Sequence, residues 1–232
     1  MTNFSLKIFL LPGIDGTGEF FVPLKKALGP NTETNVVRYK DERTFEDYVE
    51  SVASLLPDEN AVLIAESFSG PIALALMERY PSRIKCAVLS ATFAISPFRK
   101  LTKVAEYVPT VFFTPNPLQA RIVKTFCLPK EPESELLNLV MQVIYSITPI
   151  TRKERLAVLS KVDMRPILSK ITQPVLCLKA SQDRVVAATL ADMLVSGLPN
   201  VEVCEINGPH MLLQTCPDEC AHEIIRFLSQ CV

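Results

Sequence analysis

The chain has almost no net charge, only two histidines, and no apolar run long enough to cross a bilayer. Lys and Arg number 24 against 25 Asp and Glu, a formal charge of −1 over 232 residues. That balance gives no general attraction to nucleic acid. A 48% hydrophobic composition is that of a globular chain large enough for one core, and it excludes disorder. A spanning helix needs about 20 consecutive apolar residues, so no membrane insertion is expected. Residues 1–7 lack the basic-then-apolar pattern and small-residue cleavage site of a secretion signal. The expectation is a cytoplasmic protein. The seven cysteines are odd in number and scattered, and Cys86 and Cys177 lie in apolar runs where a reduced thiol packs as a small hydrophobe. Cys216 and Cys220 have the spacing of a ligand pair, but no second pair matches it. The reading is therefore a reducing compartment, with no metal and no cofactor.

What is present is an alternation of short apolar runs with amphipathic ones. Residues 6–11, 35–39, 61–65, 86–90, 174–179 and 201–206 read as strands. Residues 45–56, 68–80, 186–196 and 217–230 read as helices between and after them. Strands this continuously apolar are buried on both faces, which is the habit of a parallel sheet with helices on either side. The fold class is α/β: a mostly parallel, six-stranded, doubly wound sheet, with ligands expected at the carboxyl ends of its strands. Residues 95–170 break the rhythm. Prolines recur there between helical stretches at 133–147 and 152–159. The predicted organisation is a core of residues 1–94 and 171–232, with a helical cap of residues 95–170 inserted.

Three features fall at the carboxyl edge of that sheet. Ser67, in Ala65-Glu66-Ser67-Phe68-Ser69-Gly70, has the strand-turn-helix setting of a nucleophile elbow, in which a sharp turn pushes the serine hydroxyl out at the sheet edge. Small residues flank it because larger side chains would strike the neighbouring backbone. The competing reading is a strand end followed by a serine-capped helix. Asp183 lies on the loop after the strand at 174–179, and His210 on the loop after the strand at 201–206. The third feature is the glycine-rich turn Pro12-Gly13-Ile14-Asp15-Gly16-Thr17-Gly18, which brings backbone N–H groups close to a ligand. Asp15 and Glu66 read as structural residues, the first as part of an Asp-Gly turn.

The chain order Ser, Asp, His, together with the elbow, resembles the α/β-hydrolase superfamily over essentially the whole length. The segment from Arg155 to Leu176 looks like that family's cap exit and re-entry strand, and Gly208-Pro209-His210 followed by Pro217 like its histidine loop and last helix. The turn Leu10 to Gly18 resembles esterases similar to the pimeloyl-acyl-carrier-protein methyl ester esterase, and the hydrolase-like part of plant phytyl ester synthases. The resemblance implies catalytic roles for Ser67, Asp183 and His210. His210 would take the serine proton during attack on an acyl carbonyl, and Asp183 would fix the imidazole tautomer. The backbone N–H groups of Ile14 and Phe68 would form the oxyanion hole, where losing one donor typically costs about 3 kcal/mol. One departure stands out: Pro12 occupies a place where this branch often has a histidine.

Charge adds a reading of the substrate. Between residues 99 and 170, twelve Lys and Arg face six Asp and Glu, while the remainder holds twelve against nineteen. A basic cap on an acidic core steers an acidic partner, and acyl carrier protein is such a partner, with Arg121, Lys124, Arg152 and Arg155 as its expected docking residues. Phe112, Phe113, Val140 and Ile144 are the expected substrate-binding residues for an acyl chain. The sequence thus predicts a serine carboxylesterase acting on an acyl ester, with the methyl ester of pimeloyl-acyl carrier protein in biotin synthesis as the specific substrate. An acyl thioesterase or acyltransferase with the same acyl-enzyme, and a non-catalytic binding protein of the same fold, are the alternatives.

Overall fold

The computed structural model of the protein describes residues 6–97, 104, 107–114 and 116–231. Arg99, Lys100, Lys103 and Glu106, counted above among the cap charges, lie outside them, as do residues 1–5 of the N-terminal stretch. Six strands, β1 (Lys7–Leu11), β2 (Thr34–Val36), β3 (Ala61–Glu66), β4 (Ile84–Ser90), β5 (Val175–Ala180) and β6 (Val201–Ile206), form one sheet in the order β2-β1-β3-β4-β5-β6. All five pairings are parallel, so the sheet is wholly and not mostly parallel. Among the described residues the helices in chain order are α1 (Val22–Leu28), α2 (Phe45–Ala53), α3 (Gly70–Arg79), α4 (Pro117–Cys127), α5 (Ser134–Ser146), α6 (Pro149–Lys161), α7 (Ala188–Gly197), α8 (Leu212–Thr215) and α9 (Pro217–Gln230).

The continuous apolar strands are explained by the pleat. Successive side chains of a strand point to opposite faces. Phe9, Leu11, Leu63, Ala65 and Leu89 join one core with α2, α3 and α7. Ile8, Leu10, Val62, Ile64 and Val88 join the other with α1, α8 and α9. Both faces are covered, so neither set of positions tolerates a polar residue.

Element ends differ from the sequence reading for local reasons. Helix α2 begins at a reciprocal Thr44–Asp47 capping box and ends at Ala53, because Leu55 N–H and Leu56 N–H bond to the carbonyls three residues back and tighten the last turn. Strand β2 is shorter than predicted because Tyr39 leaves the ladder, its N–H bonding to Gly16 O at 2.8 Å.

The registers Leu11↔Ala65, Glu66↔Ser90, Leu178↔Ser90 and Ala180↔Ile206 bring these strand ends to one edge. The turns carrying Pro12–Gly18, Ser67, Asp183 and His210 therefore emerge side by side. Between β4 and β5 the chain runs through α4, α5 and α6. An antiparallel bridge from Ile95 to Asp163 and a 2.7 Å bond from Met164 N–H to Ala94 O tie its entry to its exit. Leu128 and Val140 pack with Met211 in a small cluster beside the His210 loop. Among the described residues, no helix is long and apolar enough to cross a membrane.

Candidate active site

Among the described residues, Ser67 is one of three non-glycine residues with positive φ, at 47°. That conformation is uncommon for a side chain bearing a Cβ, and it persists only where the surroundings enforce it. Those surroundings are visible. Thr92 Oγ1 donates to Ser67 O at 2.5 Å, and a Cβ on Gly70 would come within 2.0 Å of the Thr92 hydroxyl oxygen. The glycine that the elbow requires thus stands one position later than in the usual pattern, because Thr92 occupies its side-chain space. Ser69, at the usual glycine position, is fully buried. Its hydroxyl donates to Pro12 O and lies 2.6 Å from Tyr39 Oη. Burial pushes the Tyr39 phenol far above its ordinary value, so it stays protonated and donates to Ser69.

Ser67 Oγ lies 2.9 Å from His210 Nε2, and His210 Nδ1 lies 2.8 Å from Asp183 Oδ2. The side chains of His210 and Asp183 are both buried. A carboxylate only accepts, so Nδ1–H donates to Asp183 and Nε2 is left to accept the Ser67 hydroxyl proton. The second Asp183 oxygen accepts the N–H groups of Val185 and Val186, each at 2.8 Å. These bonds fix the carboxylate plane and thereby the imidazole. Among the described residues, the N–H groups of Ile14 and Phe68 have no acceptor, whereas the carbonyls around them are engaged. Gly16 and Gly18 make the intervening turn with φ of 67° and 76°, values that favour glycine.

Cys127 packs in the cluster beside the His210 loop, where its carbonyl accepts Met211 N–H at 3.0 Å. Burial, with Asp183 and Glu66 adding their charge, pushes its thiol up to about 12. It stays a thiol and does not compete as a nucleophile. Among the described residues, no three His, Cys, Asp or Glu side chains gather as metal ligands.

Glu66 is buried beside the elbow, where Gln214 Nε2 donates to it at 3.1 Å. Burial first and the charge of Asp15 second push its carboxyl up to about 8, against the opposing effect of Gln214. A carboxyl that holds its proton longer when folded stabilises the fold fully below its ordinary value of 4.5, and that contribution is lost as pH rises through about 8. Thermal stability is therefore expected to fall between those pH values, and Glu66→Gln is expected to flatten the fall. Melting curves at several pH values check this; parallel slopes in the two proteins would contradict it.

The structure corrects part of the predicted docking and acyl-binding set. Arg155 is 3% exposed and its guanidinium is engaged with backbone carbonyls, so it presents no charge to a partner. Arg152 is half-buried, donating to Ile147 O and Gln119 Oε1 with its second Nη enclosed. Arg121 and Lys124, on α4, face solvent. Val140 is buried against Leu128 and Met211, with Ile144 at the edge of that cluster. Phe112 is largely exposed and Phe113 half-buried. A small cavity of about 90 Å³ lies behind Asp183, between β5 and α7, and none of these four residues lines it. Thr92, Ser69, Tyr39 and Arg155 are the parts of the site that sequence reasoning missed or misassigned. A serine at a position that normally requires glycine was the one signal available.

Comparison with known proteins adds to this geometry. Residues 39–214 match the family described as serine aminopeptidase, S33. Over 114 residues the chain is 32% identical to phytyl ester synthase 1 of Arabidopsis thaliana, a match covering 44% of this chain and 16% of that protein. Among solved structures, an enol-lactonase from Burkholderia xenovorans superposes with a TM-score of 0.85 at 16% identity, covering 97% of this chain and 92% of that one. An esterase from Exiguobacterium antarcticum gives 0.85 at 13% identity, with the same coverage. At these identities the structural likeness speaks for the fold.

Proposed function

This chain belongs to the serine aminopeptidase S33 family and to the α/β-hydrolase superfamily, and from that premise we propose that it cleaves carboxylic esters through an acyl-enzyme on Ser67. The observation that carries the reading is the pair of contacts at 2.9 and 2.8 Å linking Ser67, His210 and Asp183. In this reading His210 Nε2 takes the hydroxyl proton as Oγ attacks the acyl carbon, Asp183 stabilises the resulting imidazolium, and the free N–H groups of Ile14 and Phe68 receive the oxyanion. His210 then returns the proton to the leaving alcohol. Water repeats the sequence to release the acid. The segment of residues 95–170 is the proposed cap over this site, inserted in a core of residues 1–94 and 171–232.

An ester is favoured over an amide by the match to a phytyl ester synthase, and the same match favours acyl transfer to an alcohol as a second reading. The narrower substrate we propose is a methyl ester on acyl carrier protein, the pimeloyl ester of biotin synthesis. It is supported by the resemblance of the Leu10–Gly18 turn and by the basic excess of residues 99–170, with Arg121 and Lys124 as its exposed representatives.

One assay series tests these together, using a small p-nitrophenyl ester, an aminoacyl p-nitroanilide and a carrier-bound methyl ester. The ester is expected to turn over and the anilide to remain intact; turnover of the anilide alone would overturn the ester reading. Charge reversal at Arg121 and Lys124 is expected to raise KM for the carrier-bound ester about tenfold while sparing the small ester. Equal effects on both, or none on either, would remove the carrier protein from the account.

A further inference from the structure

The turn carrying Ile14 lies outside the strands and helices, and its position is fixed by other contacts. Five consecutive carbonyls, from Pro12 to Gly16, each have a donor. Ser69 Oγ donates to Pro12 O. Gly16 N–H donates to Gly13 O at 3.0 Å, and Tyr39 N–H to Gly16 O at 2.8 Å. The two carbonyls between them, of Ile14 and Asp15, are both held by Arg155 Nη1, the first at 3.0 Å. Arg155 Nη2 completes the grip on Tyr39 O at 3.2 Å.

We propose that Arg155 is a positioning residue for the oxyanion hole: reaching in from α6, it holds the peptide units next to Ile14 so that the Ile14 N–H points at the acyl oxygen. The inference rests on the ester-hydrolase reading above and goes beyond it by giving the inserted segment a part in the chemistry.

The physical case has three parts. A carbonyl that is buried and robbed of its donor turns toward water or another donor. The Asp15 carbonyl lies in such a position, since Asp15 is 6% exposed. Turning that peptide displaces the neighbouring one, and an oxyanion donor misplaced by about 1 Å loses most of its effect. Second, the guanidinium is a planar fork with five fixed N–H donors, so one group spans three carbonyls where a lysine ammonium offers a compact point charge. Third, the loop is shaped to receive it. A Cβ on Gly16 would lie 2.5 to 2.6 Å from three guanidinium atoms, so Gly16 leaves the space that Arg155 fills. Arg155 itself touches none of the reacting atoms. It acts through the loop.

The test uses the full chain, p-nitrophenyl acetate as substrate, and an alkylboronic acid that forms a tetrahedral anion on Ser67. Arg155→Lys and Arg155→Met are each expected to lower kcat about a hundredfold with KM changed by less than about threefold, and to weaken boronate binding in parallel with kcat. A side chain that merely packed would alter the melting point without this split between kcat and KM. A folded variant with kcat near that of the wild type overturns the proposal, as does a loss confined to KM. Failure of both variants to fold also overturns it, in favour of a purely structural role. An inactive wild type that also ignores the boronate would instead fail the ester-hydrolase reading, so the two failures are distinguishable.

Discussion

Ser67→Ala is expected to lower kcat toward small esters by about a million-fold, the scale on which a nucleophile of this kind fails when removed. The argument is local. The hydroxyl lies 2.9 Å from His210 Nε2, and alanine leaves no hydroxyl there for the imidazole to activate. The fold should be unaffected. The bond that secures this turn runs from Thr92 Oγ1 to the Ser67 carbonyl, not to its side chain, and alanine tolerates the 47° φ no worse than serine. Loss of turnover with an unchanged melting curve is the expected pair of results. A residual rate within about a hundredfold of wild type would show that another group performs the attack.

Asp183→Asn should cost about ten-thousand-fold in kcat, through the tautomer and not through the geometry. Asparagine keeps an oxygen for the Val185 and Val186 N–H groups, both at 2.8 Å, so its side chain stays in place. Its NH₂ then faces His210 Nδ1, where Asp183 Oδ2 stood at 2.8 Å. A donor there requires an unprotonated Nδ1, which moves the ring proton to Nε2. An Nε2–H cannot accept the serine proton. Steady-state kinetics at neutral pH check this, with the melting curve as control. A loss of less than about tenfold would mean that Asp183 only shapes the loop that it caps.

The frame of this site was legible in the sequence because it depends on chain order and strand ends. Apolar runs buried on both faces marked the sheet. The residues just past their carboxyl ends then had to lie together, which placed Ser67, Asp183 and His210 on one edge. What could not be seen were contacts between residues far apart in sequence. The sequence shows Ser69 and Gly70 only as small residues; their partners, Pro12 O for the Ser69 hydroxyl and Thr92 beside Gly70, lie far away along the chain.

Arg155 was misread for a related reason. An arginine on a helix among other cations has the pattern of a surface charge, and only the fold shows it reaching 140 residues back to the Asp15 carbonyl.

The central claim, that Ser67 is a nucleophile activated by His210, is tested most directly by a fluorophosphonate, whose phosphorus a serine attacks only when its hydroxyl is activated in this way. The folded protein is predicted to take up one phosphonyl group per chain, on the peptide containing Ser67, and Ser67→Ala to take up none. A folded wild type that remains unlabelled, or that carries the label on any other residue, would contradict the account.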